Sequence, residues 1–289
     1  MGLVGYAGAG CSTVARKLEG FLHERGYEVH RLKLSGLIQQ RFAPEDVPQI
    51  KPGIAEGKSK LERAWALQDL GDQLRSQFGN HAIAALATKQ IMAELNGKPP
   101  GVHKLAFICD SLKHNDEVVL LRRVYDKSFR LIAVHCERPE RECRLIGPLT
   151  DEVKYRGADP DRVRMYMDRD EKDDVRKYGQ QVRDAFYLAD YFLDNNVRIH
   201  DAARLNDDLL RFVEMVLGFN LVRPTMQETG MFHAQAAALQ SACLSRQVGA
   251  ALQAQDGRIL ATGTNEVPKF GGGVYQQEDR PDNRCFAWE

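Results

Sequence analysis

The sequence lacks a dominant charge. Its 289 residues hold 40 acidic and 40 basic side chains, so no global field draws the chain to nucleic acid or to a membrane surface. No DNA-binding and no membrane role is therefore expected. No apolar run approaches the roughly 20 residues of a membrane span. Cysteine is sparse: six residues are scattered without a C-x-x-C pair. Cys109 and Cys136 fall in apolar, strand-like runs, which suits buried free thiols in a reducing cytosol. A strand and a glycine loop begin at the second residue and leave no room for a signal peptide, so a cytoplasmic location is expected. The same tight start leads us to expect a short missing piece before it. The hydrophobic fraction, 43%, is ordinary for a globular protein, and the length allows one large domain or two smaller ones.

What is present is organised around the first dozen residues. Gly2-Leu3-Val4 reads as the end of a buried strand, and Gly5-Tyr6-Ala7-Gly8-Ala9-Gly10-Cys11-Ser12-Thr13 follows at once. Gly5, Gly10 and Ser12 fit the G-x-x-x-x-G-x-[ST] frame of a phosphate-binding loop. The glycines let backbone N–H groups turn inward, and the next helix adds its positive N-terminal end. Gly5, Gly8, Gly10, Cys11, Ser12 and Thr13 are thus candidate phosphate-binding residues. The lysine of the motif, which reaches the outer phosphates, is replaced by Cys11. A short neutral thiol cannot clamp a transferring phosphoryl group. The frame predicts phosphate binding and puts kinase or NTPase activity in doubt. A glycine-rich strand–helix turn without a ligand is the alternative.

Helical periodicity covers residues 12–26, 28–34 alternates as a strand, and 35–40 opens a second helix. Residues 43–60 read as a loop, 61–78 and 80–95 as longer helices, and 97–101 as a turn. An apolar strand over 104–109 ends in Asp110, an acid placed to orient Mg2+ or a water beside the loop. A helix over 115–125 and a strand over 131–136 follow. Arg138, Arg141 and Arg144 then crowd one stretch, where arginines either close over phosphates or decorate a solvated helix face. Residues 167–174 read as a charged, solvated segment, and 189–195 as the last strand. This alternation implies a parallel sheet with helices on both faces and ligands at the carboxyl ends of its strands. On the loop, Asp110-Ser111-Leu112-Lys113, Arg141 and Ala189-Asp190-Tyr191, the chain through residue 197 resembles the P-loop nucleotide-kinase group. The resemblance implies a nucleotide, with Mg2+, at the loop, and Asp110, Arg141 and Arg144 beside its phosphates.

A connector helix is expected within 198–222. The order then changes to an Ala-rich helix over 226–244, a strand over 247–253, an Asp256-Gly257 hairpin turn and a strand over 258–264. Arg223-Pro224-Thr225, Cys243-Leu244-Ser245-Arg246-Gln247-Val248-Gly249-Ala250, Asp256-Gly257-Arg258-Ile259-Leu260-Ala261-Thr262-Gly263 and Thr264-Asn265-Glu266-Val267-Pro268 resemble the opening of a deoxycytidylate deaminase domain. Preceded by a lysine-less P-loop and followed by Lys269-Phe270-Gly271-Gly272-Gly273-Val274-Tyr275, they resemble the two-domain bacterial anti-phage deoxycytidine-nucleotide deaminases. The expected fold class is α/β: a P-loop nucleotide-kinase-like parallel sheet over 1–197, then the start of a cytidine-deaminase-like α/β domain over 223–289.

The resemblance implies a zinc-activated water attacking C4 of cytosine, with a glutamate moving the proton. The family's H-x-E and P-C-x-x-C motifs are absent from these residues. His233-Ala234-Gln235 has Gln where the acid belongs, so His233 reads as a packing or surface residue. Cys243 and Cys285 stand alone, whereas catalytic zinc takes three protein ligands. No catalytic residue and no metal ligand is therefore assigned, zinc is expected only in a complete protein, and the chain is read as a truncated, inactive family member. By resemblance Asn265 touches the nucleoside and Arg246 its phosphate. Asn265 as a turn cap and Arg246 as a surface charge are the alternatives. Three functions stay open. The first is a dCMP or dCTP deaminase, assembled as a homo-oligomer and biased by a regulatory nucleotide or inhibitor at the P-loop. The others are a phosphotransferase and a non-catalytic nucleotide-binding module.

Overall fold

The computed structural model describes residues 1–42, 60–98, 104–147, 159–173, 178–196 and 202–285. The loop expected over 43–60 and the turn over 97–101 lie largely outside them. The chain divides into two compact units, Met1–Phe219 and Asn220–Glu289.

In the first unit, β1 (Gly2–Val4), β2 (Glu28–Lys33), β3 (Leu105–Leu112), β4 (Leu131–His135) and β5 (Tyr191–Asp194) form one sheet in the order β2-β3-β1-β4-β5. Every neighbouring pair is parallel. Parallel neighbours need long crossovers, and helices supply them: α1 (Cys11–His23), α2 (Leu34–Arg41), α3 (Lys60–Phe78), α4 (Ala82–Asn96), α5 (Asn115–Tyr125), α6 (Arg138–Ile146), α7 (Pro160–Glu171), α8 (Val182–Phe186) and α9 (Ala202–Leu217). The fold is α/β with helices on both faces, as the strand–helix alternation implies.

The reason is visible along β4. Leu131 and Ala133 pack with Val4, Cys109 and the apolar faces of α2, α4 and α5. Ile132 and Val134 point the other way and pack with Leu3, Ile108, Leu18 of α1 and Phe212 of α9. A strand buried on both faces carries no polar alternate positions. Helix α9, expected as an interdomain connector, therefore belongs to the core of the first unit. Its Leu205, Leu209, Phe212 and Val213 share one helical face and are all buried. Strand β1 lies between β3 and β4, so the strand order reverses there, and a crevice opens at the carboxyl ends of these strands.

The second unit holds α10 (Met226–Ala238) and an antiparallel hairpin of β6 (Gly249–Gln253) and β7 (Ile259–Thr264) around Asp256-Gly257. Thr225 and Glu228 close a capping box at the start of α10. The helix stops short of residue 244. The Glu266 carboxylate takes the Ala242 N–H at 2.6 Å, and the Ser241 hydroxyl donates to the Asn265 carbonyl at 3.2 Å. These bonds draw the chain out of helical geometry.

Helix α5 starts on a titratable cap. Nδ1 of the buried His114 accepts the Asp116 N–H at 3.1 Å. Glu117 reaches back to the amides of Lys113 at 2.8 Å and His114 at 3.3 Å. An accepting Nδ1 requires the neutral ring, and burial holds the His114 pKa below its ordinary 6.5. The unfolded chain therefore binds this proton first. Stability is fully present above pH 6.5 and declines as the pH falls from there toward the lower folded value. His114→Asn keeps a capping oxygen without the titration. Between about pH 7.5 and about pH 5, thermal unfolding of the wild type should lose more Tm than that of the Asn variant. Parallel curves would show that the cap does not titrate.

Candidate functional site

The loop leaves β1 at Gly5 and enters α1 at Cys11. Gly10 is its hinge. It caps α1 in the left-handed region at φ 92°, and a Cβ there would stand 2.4 Å from Nδ2 of Asn195. Gly8, at φ 82°, lies against the Arg141 backbone, whose carbonyl a Cβ would meet at 2.8 Å. The amides of Gly8, Gly10, Cys11 and Ser12 have no hydrogen-bond partner among the described residues. They form the set of open donors that an anion at a helix N-terminus requires. Thr13 is exposed on the first turn of α1, where its hydroxyl accepts from Arg16 at 3.5 Å.

Asp110 is buried beside this loop. The Ser12 hydroxyl donates to its Oδ2 at 2.8 Å and the Ser111 hydroxyl to its Oδ1 at 2.9 Å. Strand β3 continues past Asp110 to Leu112, two residues beyond the expected end, because Leu112 pairs with Val4. A serine oxygen and a carboxylate on adjoining elements fit the hard-oxygen donor set of Mg2+.

A cation stands beside the loop although position 11 carries none. Nζ of Lys113 lies 3.1 Å from the Gly5 carbonyl oxygen and 2.9 Å from Oδ1 of Asp170. Oδ2 of Asp170 also accepts the Ala7 N–H at 2.7 Å. In the segment expected to be charged and solvated over 167–174, Met167, Asp170 and Asp173 are buried instead, Asp170 with 0% exposure. Val163, Met167 and Asp170 follow i, i+4, i+7 on one buried face of α7. That spacing was the signal in the sequence for Asp170. For Lys113 it was a lysine three residues past the strand-end acid. The Cys11 thiol is pushed up to about 12, first by burial, with Asp110 and Asp170 adding to the rise and Lys113 opposing it.

The two arginines brace the loop rather than hang over it. Arg141 is buried, with Nε on the Cys136 carbonyl at 3.0 Å, Nη1 on the Ala7 carbonyl at 3.4 Å and its guanidinium 4.9 Å from the Tyr6 ring centre. Arg144 donates to the carbonyls of Gly8 at 3.4 Å and Asn195 at 2.8 Å. Arg138 is turned away to Asp168 and Glu171. A cavity of about 450 Å3 opens in front of the loop, with Asp110, Lys113 and Arg144 among its lining residues.

In the second unit, Asn265 is held at both ends of its amide. It accepts the Val248 N–H at 2.8 Å and donates to the Arg246 carbonyl at 2.7 Å. The Arg246 residue is exposed. Among the described residues, no group of three His, Cys, Asp or Glu side chains is placed to hold a metal ion.

Sheet order, a glycine loop at the switch point and the Ser12–Asp110 contact define a P-loop α/β fold of the nucleotide-kinase type. No family model matches the chain, and no curated protein matches it. Among solved structures it is similar to a shikimate kinase from Bacteroides thetaiotaomicron, at 12% identity over 75% of this chain and 97% of that one, with a TM-score of 0.40. A shikimate kinase from Acinetobacter baumannii in complex with shikimate matches at 14% identity over 76% and 93%, with a TM-score of 0.35. One from Aquifex aeolicus matches at 14% over 77% and 98%, with a TM-score of 0.32.

A thiol with so high a pKa is almost wholly protonated at neutral pH and unreactive. Iodoacetamide at about pH 8 should label the exposed Cys143 and Cys285 and spare Cys11 in the folded protein, as read by peptide mass mapping. Labelling of Cys11 at the rate of Cys143 would show an accessible, ionised thiol instead.

Proposed function

We propose that the first unit binds the phosphates of a nucleotide with Mg2+, and that it is the nucleotide-sensing domain of a deoxycytidine-nucleotide deaminase of the anti-phage type. The observation that carries the first statement is the convergence of Ser12, Asp110 and Lys113 on one loop. The open amides of Gly8, Gly10, Cys11 and Ser12 would donate to the phosphate oxygens. Ser12 and Asp110 would hold Mg2+, which supplies charge neutralisation between phosphates. Lys113 supplies the positive charge that Cys11 does not.

The deaminase statement is supported by the ordered motifs from Arg223 to Tyr275. No catalytic residue or zinc ligand is assigned in these residues. Arg246 is the candidate contact for a substrate phosphate, while the Asn265 amide is occupied by backbone at both ends. Deoxycytidine nucleotides as substrates, a regulatory nucleotide or inhibitor, and a homo-oligomer belong to this reading. A phosphotransferase is the second reading, because Lys113 places a cation at the loop, although its tether to Asp170 weighs toward holding a nucleotide.

Calorimetric titration of the protein with dCTP and ATP, with and without Mg2+, tests the proposal. Binding should require Mg2+. Asp110→Ala should weaken it by roughly tenfold or more, and Cys11→Ser should leave it within about twofold. Lys113→Met alone would strand the buried Asp170, so the pair Lys113→Met with Asp170→Asn is the informative variant. It should lose roughly tenfold or more in affinity while keeping its fold. Tight binding unaffected by the Asp110 and Lys113 changes would sink the site as drawn. Phosphate transfer from ATP would move the assignment to the second reading, and ammonia released from dCTP would require zinc ligands that the motifs do not supply.

A further inference from the structure

The phosphate loop accounts for only one end of its cavity. Helix α3 lines the other end with Gln68, Gly71 and Arg75, spaced i, i+3, i+7 on one face. Gln68 is 3% exposed, yet neither its carbonyl oxygen nor its amide nitrogen has a hydrogen-bond partner among the described residues. Arg75 is held through its Nη atoms by Asp72 and Glu117, but its Nε has no partner among the described residues. The Oε1 of the buried Gln180, which lines the same cavity, has none among them either. Folding disfavours buried polar atoms without partners, and most native ones are satisfied. Several in one cavity point to a ligand that completes them.

The shape of this end narrows the class. A glycine inside a helix is destabilising relative to alanine. Here a Cβ on Gly71 would meet Nη1 of Arg75 at 3.4 Å and Cδ1 of Ile83 at 3.7 Å, which is ordinary contact, so no clash demands the glycine. Its effect is a bare strip of backbone between Gln68 and Arg75. Ile38, Leu67 and Ile83 supply apolar lining. Apolar lining with a few convergent polar groups suits a planar ring whose faces leave water and whose edge is read. A primary amide offers a donor beside an acceptor, the complement of a nucleobase edge that does the same.

We infer that this end of the cavity is a nucleobase subsite. The Gln68 amide pairs with the donor–acceptor edge of the base, Arg75 Nε and Gln180 Oε1 meet its remaining polar atoms, and the phosphate end of the nucleotide faces the loop. Only the placement of that phosphate end rests on the function proposed above.

Two probes separate the two ends. The four deoxynucleosides carry a base and no phosphate, and inorganic tripolyphosphate with Mg2+ carries phosphate and no base. Calorimetry should find at least one deoxynucleoside bound, with Gln68→Leu and Gly71→Val each weakening it by about tenfold or more and tripolyphosphate affinity unchanged. Gln68→Leu removes an unpaired buried amide, so its Tm should equal or exceed that of the wild type, and Gln180→Leu gives an independent variant with the same expected loss. Absence of deoxynucleoside binding up to about 10 mM, with tripolyphosphate bound, overturns the subsite and leaves the loop standing. Deoxynucleoside binding that ignores all three substitutions also overturns it. Base binding that depends on Gln68, with no tripolyphosphate bound, upholds the subsite and removes the loop reading alone.

Discussion

The ion pair between Lys113 and Asp170 is the contact on which the site depends. An ionised carboxylate with no exposure is costly by several kcal/mol unless it is paired and hydrogen-bonded. Asp170 has both forms of compensation, from the Lys113 ammonium and the Ala7 N–H. Through them three segments far apart in sequence are fastened together: the glycine loop, the end of β3 and the helix α7. The shape of the loop is thus set by a buried charge as well as by its glycines. Arg141 and Arg144 complete the frame by holding the carbonyls of Ala7 and Gly8, which turns the amide edge of the loop toward the cavity.

A second buried charge extends this frame. Glu117 is fully buried and accepts from the amides of Lys113 and His114 and from Arg75. Arg75 leads to Asp72, which also takes Arg169 at 2.7 Å, and Arg169 stands over the Trp65 ring. Helices α3, α5 and α7 are therefore coupled to the backbone of the residue that carries the site's lysine. Buried pairs of this kind add little net stability against apolar replacements. Their consequence here is positional. Lys113 cannot shift without disturbing a cap, a strand end and two partner helices.

The sequence made the frame of the first unit legible because its signals are local. The apolar runs of β1, β3 and β4, the glycine spacing and the periodicity of α1 each lie within one segment. Asp110 followed from the same logic, as an acid near a strand end in a parallel sheet. Lys113 and Asp170 did not, since they meet across 57 residues, and the pairing of Asp170 with Ala7 spans 163. A charged run hides one buried acid unless its helical phase is followed back to Val163. Arg141 and Arg144 were noticed for their charge, but each also holds one carbonyl of the loop, more than a hundred residues earlier in the chain. In the second unit, residues 239–244 carry helix-forming composition, and the Glu266 bond to Ala242 overrides it.

The proposed role of Lys113 and the thiol at position 11 bear on each other. Position 11 is packed: Sγ of Cys11 lies 2.7 Å from where a Cβ on Gly5 would stand, and the residue belongs to the apolar core under α1. A lysine stem at position 11 would have to leave that packing, and its ammonium would arrive beside that of Lys113. Asp170 is already paired with Lys113, and Asp110 faces the Ser12 and Ser111 hydroxyls where Mg2+ would sit. One positive charge stands at the loop, attached to the end of β3 instead of to α1. A lysine on the first turn of a helix has a flexible stem that can follow a phosphoryl group as it moves. Lys113 is held by a carbonyl and a fully buried carboxylate, so any phosphate it meets must share it with Asp170. A cation tethered in this way favours a loop that holds a nucleotide in place over one that accompanies its transfer.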